Sequence, residues 1–216
     1  MVLRSLLVCG ILSSLLYLAM NVFVPLGFDG YSATSQTVSE LSAIGAPTRP
    51  IWVWLGTVYS LLLVAFGWGV RKSTGRNRPL RVVGTLILID GIVSLYWPPM
   101  HLRGAEFTLT DAMHIIWAAV TVLLMMLAIG FGAAAFGKHF RLYSIATMVI
   151  LVVFGALTGM DGPRVAANLP TPWVGVWERI NIAAFMLWVV VLAMILLRDQ
   201  SSAAAAGPGS RRDGAG

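Results

Sequence analysis

Six apolar stretches, most of them roughly 20 residues long, leave this chain few ways to fold. They run over about Ser5–Phe28, Ile51–Val70, Val82–Trp97, Ala112–Phe136, Leu142–Gly159 and Trp173–Leu197. Stretches of this length match the hydrocarbon core of a bilayer when coiled as helices. Inside lipid, every backbone N–H and C=O must find its partner within its own segment, so helices are predicted. Composition agrees: 58% of the 216 residues are hydrophobic and 11% are charged, against about 25% charged in an average soluble domain. The expected fold is all-α, a polytopic membrane protein with six transmembrane helices in three hairpins. Residues 1–198 make the six-helix membrane domain. Residues 199–216, rich in Ala, Gly and Ser, read as a disordered cytoplasmic tail. The first stretch follows Arg4 but is too long for a signal-peptide core and lacks a small-x-small cleavage site, so it is read as a span.

Charge then orients the spans. Arg4, Arg71, Lys72, Arg76, Arg78, Arg81, Lys138, Arg141, Arg198, Arg211 and Arg212 fall on one side, with only Asp199 and Asp213 against them. The other side carries Arg49, Arg103, Arg164 and Arg179 with Asp29, Glu40, Glu106, Asp111, Asp161 and Glu178. The positive-inside rule places the first set in the cytoplasm, with both termini inside. Trp52, Trp54, Trp97, Trp117, Trp173 and Trp177 lie near the outer ends of their spans, as an interfacial belt requires. Sorted this way, the net charge of +6 reflects orientation and not a nucleic-acid surface. The partners expected are membrane lipids of the cell membrane.

No phosphate loop, nucleophile elbow or zinc-helix motif is present, and no cofactor is expected. The single cysteine, Cys9, lies within the first stretch and has no partner for an internal disulfide. Glycines at Gly67, Gly69, Gly130 and Gly132 read as helix-packing positions.

Polar chemistry gathers in the three outer loops, Asp29–Pro50, Pro98–Asp111 and Met160–Pro172. In the first, Thr37-x-x-Glu40 is a capping box for a short surface helix over Val38–Ile44, with Gly45 as its stop. In the second, Thr108-x-x-Asp111 caps the fourth helix in the same way. Asp111 and His114, three residues apart, share a helix face. His101 and Arg103 enter from the preceding turn, which Pro98 and Pro99 stiffen. A carboxylate beside an imidazole orients a general base or supplies two metal ligands. The plainer alternatives are a packed histidine and a helix cap. In the third loop, Asp161-Gly162-Pro163-Arg164 reads as a turn, and Thr171-Pro172 as the start of the sixth helix. Glu178 and Asn181 share a face of that helix, and Asp161, Arg164, Glu178 and Arg179 either pair with one another or bind a polar head group.

Asp90 stands alone inside the third stretch, about 12 Å from its inner end at 1.5 Å per residue. An acid at that depth costs about 2.5–3.5 kcal/mol on insertion scales, so it should face the bundle interior. A neutral acid that holds helices together and a proton or ion site are both compatible with it.

The segments Ser-Glu-Leu-Ser-Ala-Ile-Gly-Ala-Pro at Ser39–Pro47 and Asp-Ala-Met-His-Ile-Ile-Trp-Ala-Ala at Asp111–Ala119 carry a family likeness. With six spans, they make the chain resemble the bacterial and archaeal membrane proteins of domain-of-unknown-function family 998, DUF998, over roughly Leu6 to Leu197. Ser42 departs from the glycine expected after Ser-[Asp/Glu]-Leu. The resemblance implies a topology and no activity. It marks Ser39, Glu40, Asp111 and His114 as matching positions without assigned chemistry.

Three functional readings follow from these residues. The leading one is a binding protein that takes a lipid head group or small solute at an outer polar pocket built from Ser39, Arg103, Asp161, Arg164, Glu178 and Asn181. The second is a membrane-embedded hydrolase using an Asp/His pair, with Asp111, His114, His101 and Glu40 as candidates. The third is a small proton-coupled transporter working through Asp90.

Overall fold

A computed structural model describes residues 2–205 of the chain. Six long helices carry the fold: α1 (Val2–Phe23), α2 (Arg49–Lys72), α3 (Arg78–Ser94), α4 (Leu109–Ala135), α5 (Lys138–Ala166) and α6 (Val174–Ala205). Two short 3-10 turns, Val24–Gly27 and Val38–Ser42, lie between α1 and α2. Each long helix packs on the next in sequence, and α6 returns to α1 to close the bundle. Every helix but α3 is long and apolar enough to cross a membrane. The chain is therefore a multi-pass membrane protein. Its lateral surface fits this, since Leu15, Leu123 and Val152 are exposed along the spans.

Lipid is as apolar as leucine, so close packing and hydrogen bonds, not water exclusion, must hold such helices together. Glycine provides that closeness between α2 and α3. A Cβ on Gly67 would lie 2.5 Å from the Leu88 backbone nitrogen, and one on Gly84 2.6 Å from that of Arg71. Gly132 serves similarly under the Trp188 ring. Trp188 is fully buried and donates its indole N–H to Ser144 Oγ at 3.0 Å. Gly130, by contrast, meets only Met148 at an ordinary 3.9 Å.

Several boundaries differ from the sequence reading, each for a local reason. The first helix ends at Phe23 and tightens into a 3-10 turn at Pro25, short of Phe28. The third ends at Ser94 instead of Trp97, because residues preceding Pro98 and Pro99 disfavour helical backbone. The segment Asp161-Gly162-Pro163-Arg164 is not a turn. It is the last stretch of α5, with Pro163 inside the helix. The fixed φ of proline fits a helix, and the one i→i−4 hydrogen bond that it gives up, to Gly159 O, falls near the helix end. The helix stops where Asn168 takes φ 53° and Leu169 N–H reaches back to Arg164 O at 2.8 Å, a Schellman closure. The surface helix of the first loop is a 3-10 turn ending at Ser42, short of Ile44. At the other terminus α6 continues to Ala205, past the tail boundary expected at residue 198. The remainder of that tail lies outside the described residues.

The loops sort the bundle into two ends. The turns α2–α3 and α4–α5 meet at a basic end, where Asn77 Nδ2 donates to Ala135 O at 2.9 Å. The other three connections meet at the opposite, capped end.

Candidate functional site

Segments far apart in sequence are stitched together at the capped end. Ile44 N–H donates to Met100 O at 2.7 Å, joining the first loop to the turn after α3. Gly175 N–H donates to Thr34 O at 2.9 Å, joining the same loop to α6. Any side chain at Gly175 would collide with the Ala33 and Gln36 carbonyls, so a glycine here lets the loop lie flat on α6.

Glu40 is the buried centre of this cap, with no exposed surface. The capping box predicted from Thr37 forms: Oε2 accepts the Thr37 N–H at 2.6 Å and its hydroxyl at 3.0 Å. Arg103 then closes on the same carboxylate, Nε to Oε1 at 2.7 Å and NH2 to Oε2 at 3.1 Å. Its remaining donors reach Thr171 Oγ1 at 2.7 Å and Ser35 O at 2.8 Å. Thr171 therefore serves Arg103 and Ser35 through its side chain. A buried ion pair is tolerable only when its spare valences are filled, and here they are.

Asp111 caps α4 and holds His101. Its Oδ2 accepts the Thr108 N–H at 2.9 Å and hydroxyl at 2.7 Å, while Oδ1 accepts the His101 N–H at 2.7 Å. His101 Nδ1 also lies 2.9 Å from Oδ2. The acid thus pairs with His101, not with His114 as the shared helix face had indicated.

His114 turns instead toward the first loop. Its Nδ1 lies 2.8 Å from Pro98 O and its Nε2 3.1 Å from Ser39 Oγ. A carbonyl only accepts, so in the neutral ring Nδ1 carries the proton and Nε2 accepts. Trp97 packs edge-on against the imidazole, centroids 5.5 Å apart. The Glu178 carboxylate reaches the same turn and accepts the Val38 N–H at 2.5 Å, next to half-buried Ser39. The Ser39 hydroxyl is thus the donor to His114 Nε2, with the Glu178 carboxylate at the adjoining residue.

Beside this niche, Arg179 donates to the Tyr31 hydroxyl at 2.7 Å, and that hydroxyl donates to Thr37 O at 2.8 Å. Burial pushes the Tyr31 phenol up to about 12, with the Arg179 hydrogen bond opposing it.

Of the residues proposed for a binding pocket, Glu178 approaches Ser39 at the neighbouring Val38 N–H, with Arg103 in the adjoining network. Asn181 faces elsewhere, donating to Leu151 O at 3.0 Å between α6 and α5. The Arg164 side chain, in the last turn of α5, donates to the Pro170 carbonyl in the loop that follows. The pairing expected among Asp161, Arg164, Glu178 and Arg179 does not form. Among the described residues the ion pairs are Glu40–Arg103 and Asp111–His101. No group of three or more His, Cys, Asp or Glu among them is placed to hold a metal. Glu40, His101, Asp111 and His114 occupy three neighbouring networks and do not form one centre.

Asp90 sits apart in α3, 2% exposed, with no hydrogen-bond partner for either carboxylate oxygen among the described residues.

A model of the family described as protein of unknown function, DUF998, matches residues 11–195. The chain belongs to this family. No curated protein and no solved structure matches this DUF998 member. The family description states no activity, so the geometry must carry the functional argument.

Proposed function

We propose that this DUF998 protein binds a small solute or lipid head group bearing hydroxyl or amine donors at the Ser39–His114–Glu178 niche. One observation carries the reading: neutral His114 turns its bare Nε2 to half-buried Ser39, while the Glu178 carboxylate sits at the neighbouring Val38 N–H. Two acceptor side chains, Glu178 and neutral His114, thus flank the Ser39 turn. A ligand that donates hydrogen bonds is matched to acceptors of this kind, each such bond contributing about 0.5–1.5 kcal/mol. An acidic ligand gains little from Arg103, whose side-chain nitrogens all donate within the cap.

In this reading the chain crosses the plasma membrane of a bacterial cell six times, with both termini inside and the capped end outside. The sorting of eleven basic residues to one side supports that orientation. Native mass spectrometry of the purified chain with phosphatidylethanolamine, phosphatidylcholine and glycerol as probes tests the binding. Retention of an amine- or hydroxyl-bearing probe should fall about tenfold in Ser39→Ala and Glu178→Gln, a loss of about 1.4 kcal/mol. Equal retention of the choline lipid, or no change in the variants, removes the proposal.

A second reading rests on the same pair. Pro98 O anchors His114 Nδ1, which leaves Nε2 aimed at a serine hydroxyl, the arrangement of a nucleophile and its base. Hydrolysis of a p-nitrophenyl ester that disappears in both Ser39→Ala and His114→Ala would support it. Equal rates in all three proteins would end it.

A further inference from the structure

We propose a second binding site, for a phosphate group, in the cavity between the end of α2 and the start of α3 at the basic end. This cavity has a volume of about 220 Å³ and is lined by Trp68, Arg71, Lys72, Thr74 and Arg81. Three cations thus surround one space, and no carboxylate lines it. Both ion pairs among the described residues lie at the capped end, so none of these cations is neutralised within the protein. An anion entering the cavity would meet unpaired charge, the opposite of what the cap offers.

The cations are partly pre-positioned. Lys72 Nζ sits 4.9 Å from the centre of the Trp68 ring, and the Arg71 guanidinium carbon 5.8 Å from it. Cation–π contact of this kind lowers the cost of holding both heads over one ring. The α2–α3 turn brings in the third cation. Gly75, at φ 47°, bends the chain, and Arg81 NH2 donates to Gly75 O at 3.2 Å. On the α3 side, Arg71 packs its stem across Gly84, which a larger residue would prevent.

Phosphate fits this set better than a carboxylate does. It offers several oxygens to three separate cations, and guanidinium groups match it with two parallel hydrogen bonds. Trp68 is 44% exposed, so the cavity opens beside an aromatic ring of the type that sits at head-group depth. The phosphate can come from an anionic lipid or from a soluble phosphate compound.

The test uses the full chain in mild detergent. Dioleoylphosphatidylglycerol, dioleoylphosphatidylcholine and inorganic phosphate serve as separate probes, with retention read by native mass spectrometry. The anionic lipid should be retained over the choline lipid. Removing Lys72 and Arg81 together, as the glutamine variants, should cut that preference about 25-fold, at about fivefold per cation. Both residues are exposed, so the fold survives and an unchanged melting temperature confirms it. Adding Arg71→Gln should abolish the preference. If inorganic phosphate binds, and is lost in the same variants without any preference between lipids, the site stands and its source is soluble. If the choline lipid is held equally and phosphate does not bind, or if the variants keep the parent's preference, the proposal is overturned.

Discussion

Arg103 and Glu40, 63 residues apart in sequence, meet as a forked ion pair whose carboxylate is wholly buried. Through it, the turn after α3 locks the first loop, and Thr171 ties both to the approach of α6. Three hairpins that otherwise touch along apolar surfaces acquire a common polar cap. The Ser39–His114–Glu178 niche is a product of that cap, since the three groups come from the first loop, α4 and α6.

Breaking the pair should therefore cost more than one hydrogen bond. Arg103→Ala leaves a buried carboxylate without its counter-charge, and about 3–5 kcal/mol of stability should be lost. The double variant Glu40→Leu with Arg103→Leu should lose less than Arg103→Ala alone. Denaturant unfolding in micelles reads both; a loss below about 1 kcal/mol in Arg103→Ala would show the pair to be dispensable.

Asp90 should respond in the opposite sense. Both of its oxygens are buried without a protein partner, so Asp90→Leu removes a polar group that nothing satisfies. The variant should gain about 1–3 kcal/mol. The same variant, reconstituted in vesicles, examines the transporter reading: under that reading the parent takes up solute in response to a proton gradient and Asp90→Leu does not, and equal uptake by both ends it. A destabilised variant would reveal an interaction of the carboxylate that the helices do not show.

Tyr31 gives a dependence on alkaline pH. Its phenol has a usual value of 10 in the unfolded chain and is pushed up to about 12 in the cap by burial. Between those values the unfolded chain releases this proton while the folded chain keeps it. Stability therefore falls with rising pH across that window, by up to about 1.4 kcal/mol per pH unit from this group. Tyr31→Phe, although it also loses the Arg179 hydrogen bond, should show a shallower decline from pH 10 to 12. Parallel curves for parent and variant would mean that the phenol does not couple to folding.

Features encoded within one helix or one turn were legible in the sequence. The apolar runs located the six helices, five of them long and apolar enough to cross a membrane, because backbone hydrogen bonding in lipid sets the length and content of a span. Two capping boxes were legible for the same reason: Thr37 with Glu40 and Thr108 with Asp111 are contacts across three residues. Where proline and glycine were weighed by composition alone, the reading failed at Pro163, whose φ is equally at home in α5.

Pairing across hairpins could not be read this way. Asp111 and His114 share a helix face by spacing, yet Asp111 turns back over its own cap, where Pro98 and Pro99 return His101 to it. His114 then points to Ser39, 75 residues earlier in the chain. Local spacing limits which residues are able to meet on one element. Which acceptors gather around Ser39, and which cations are left without a carboxylate, depends on how three hairpins lean together. That is a long-range packing outcome, and tertiary structure alone decided it.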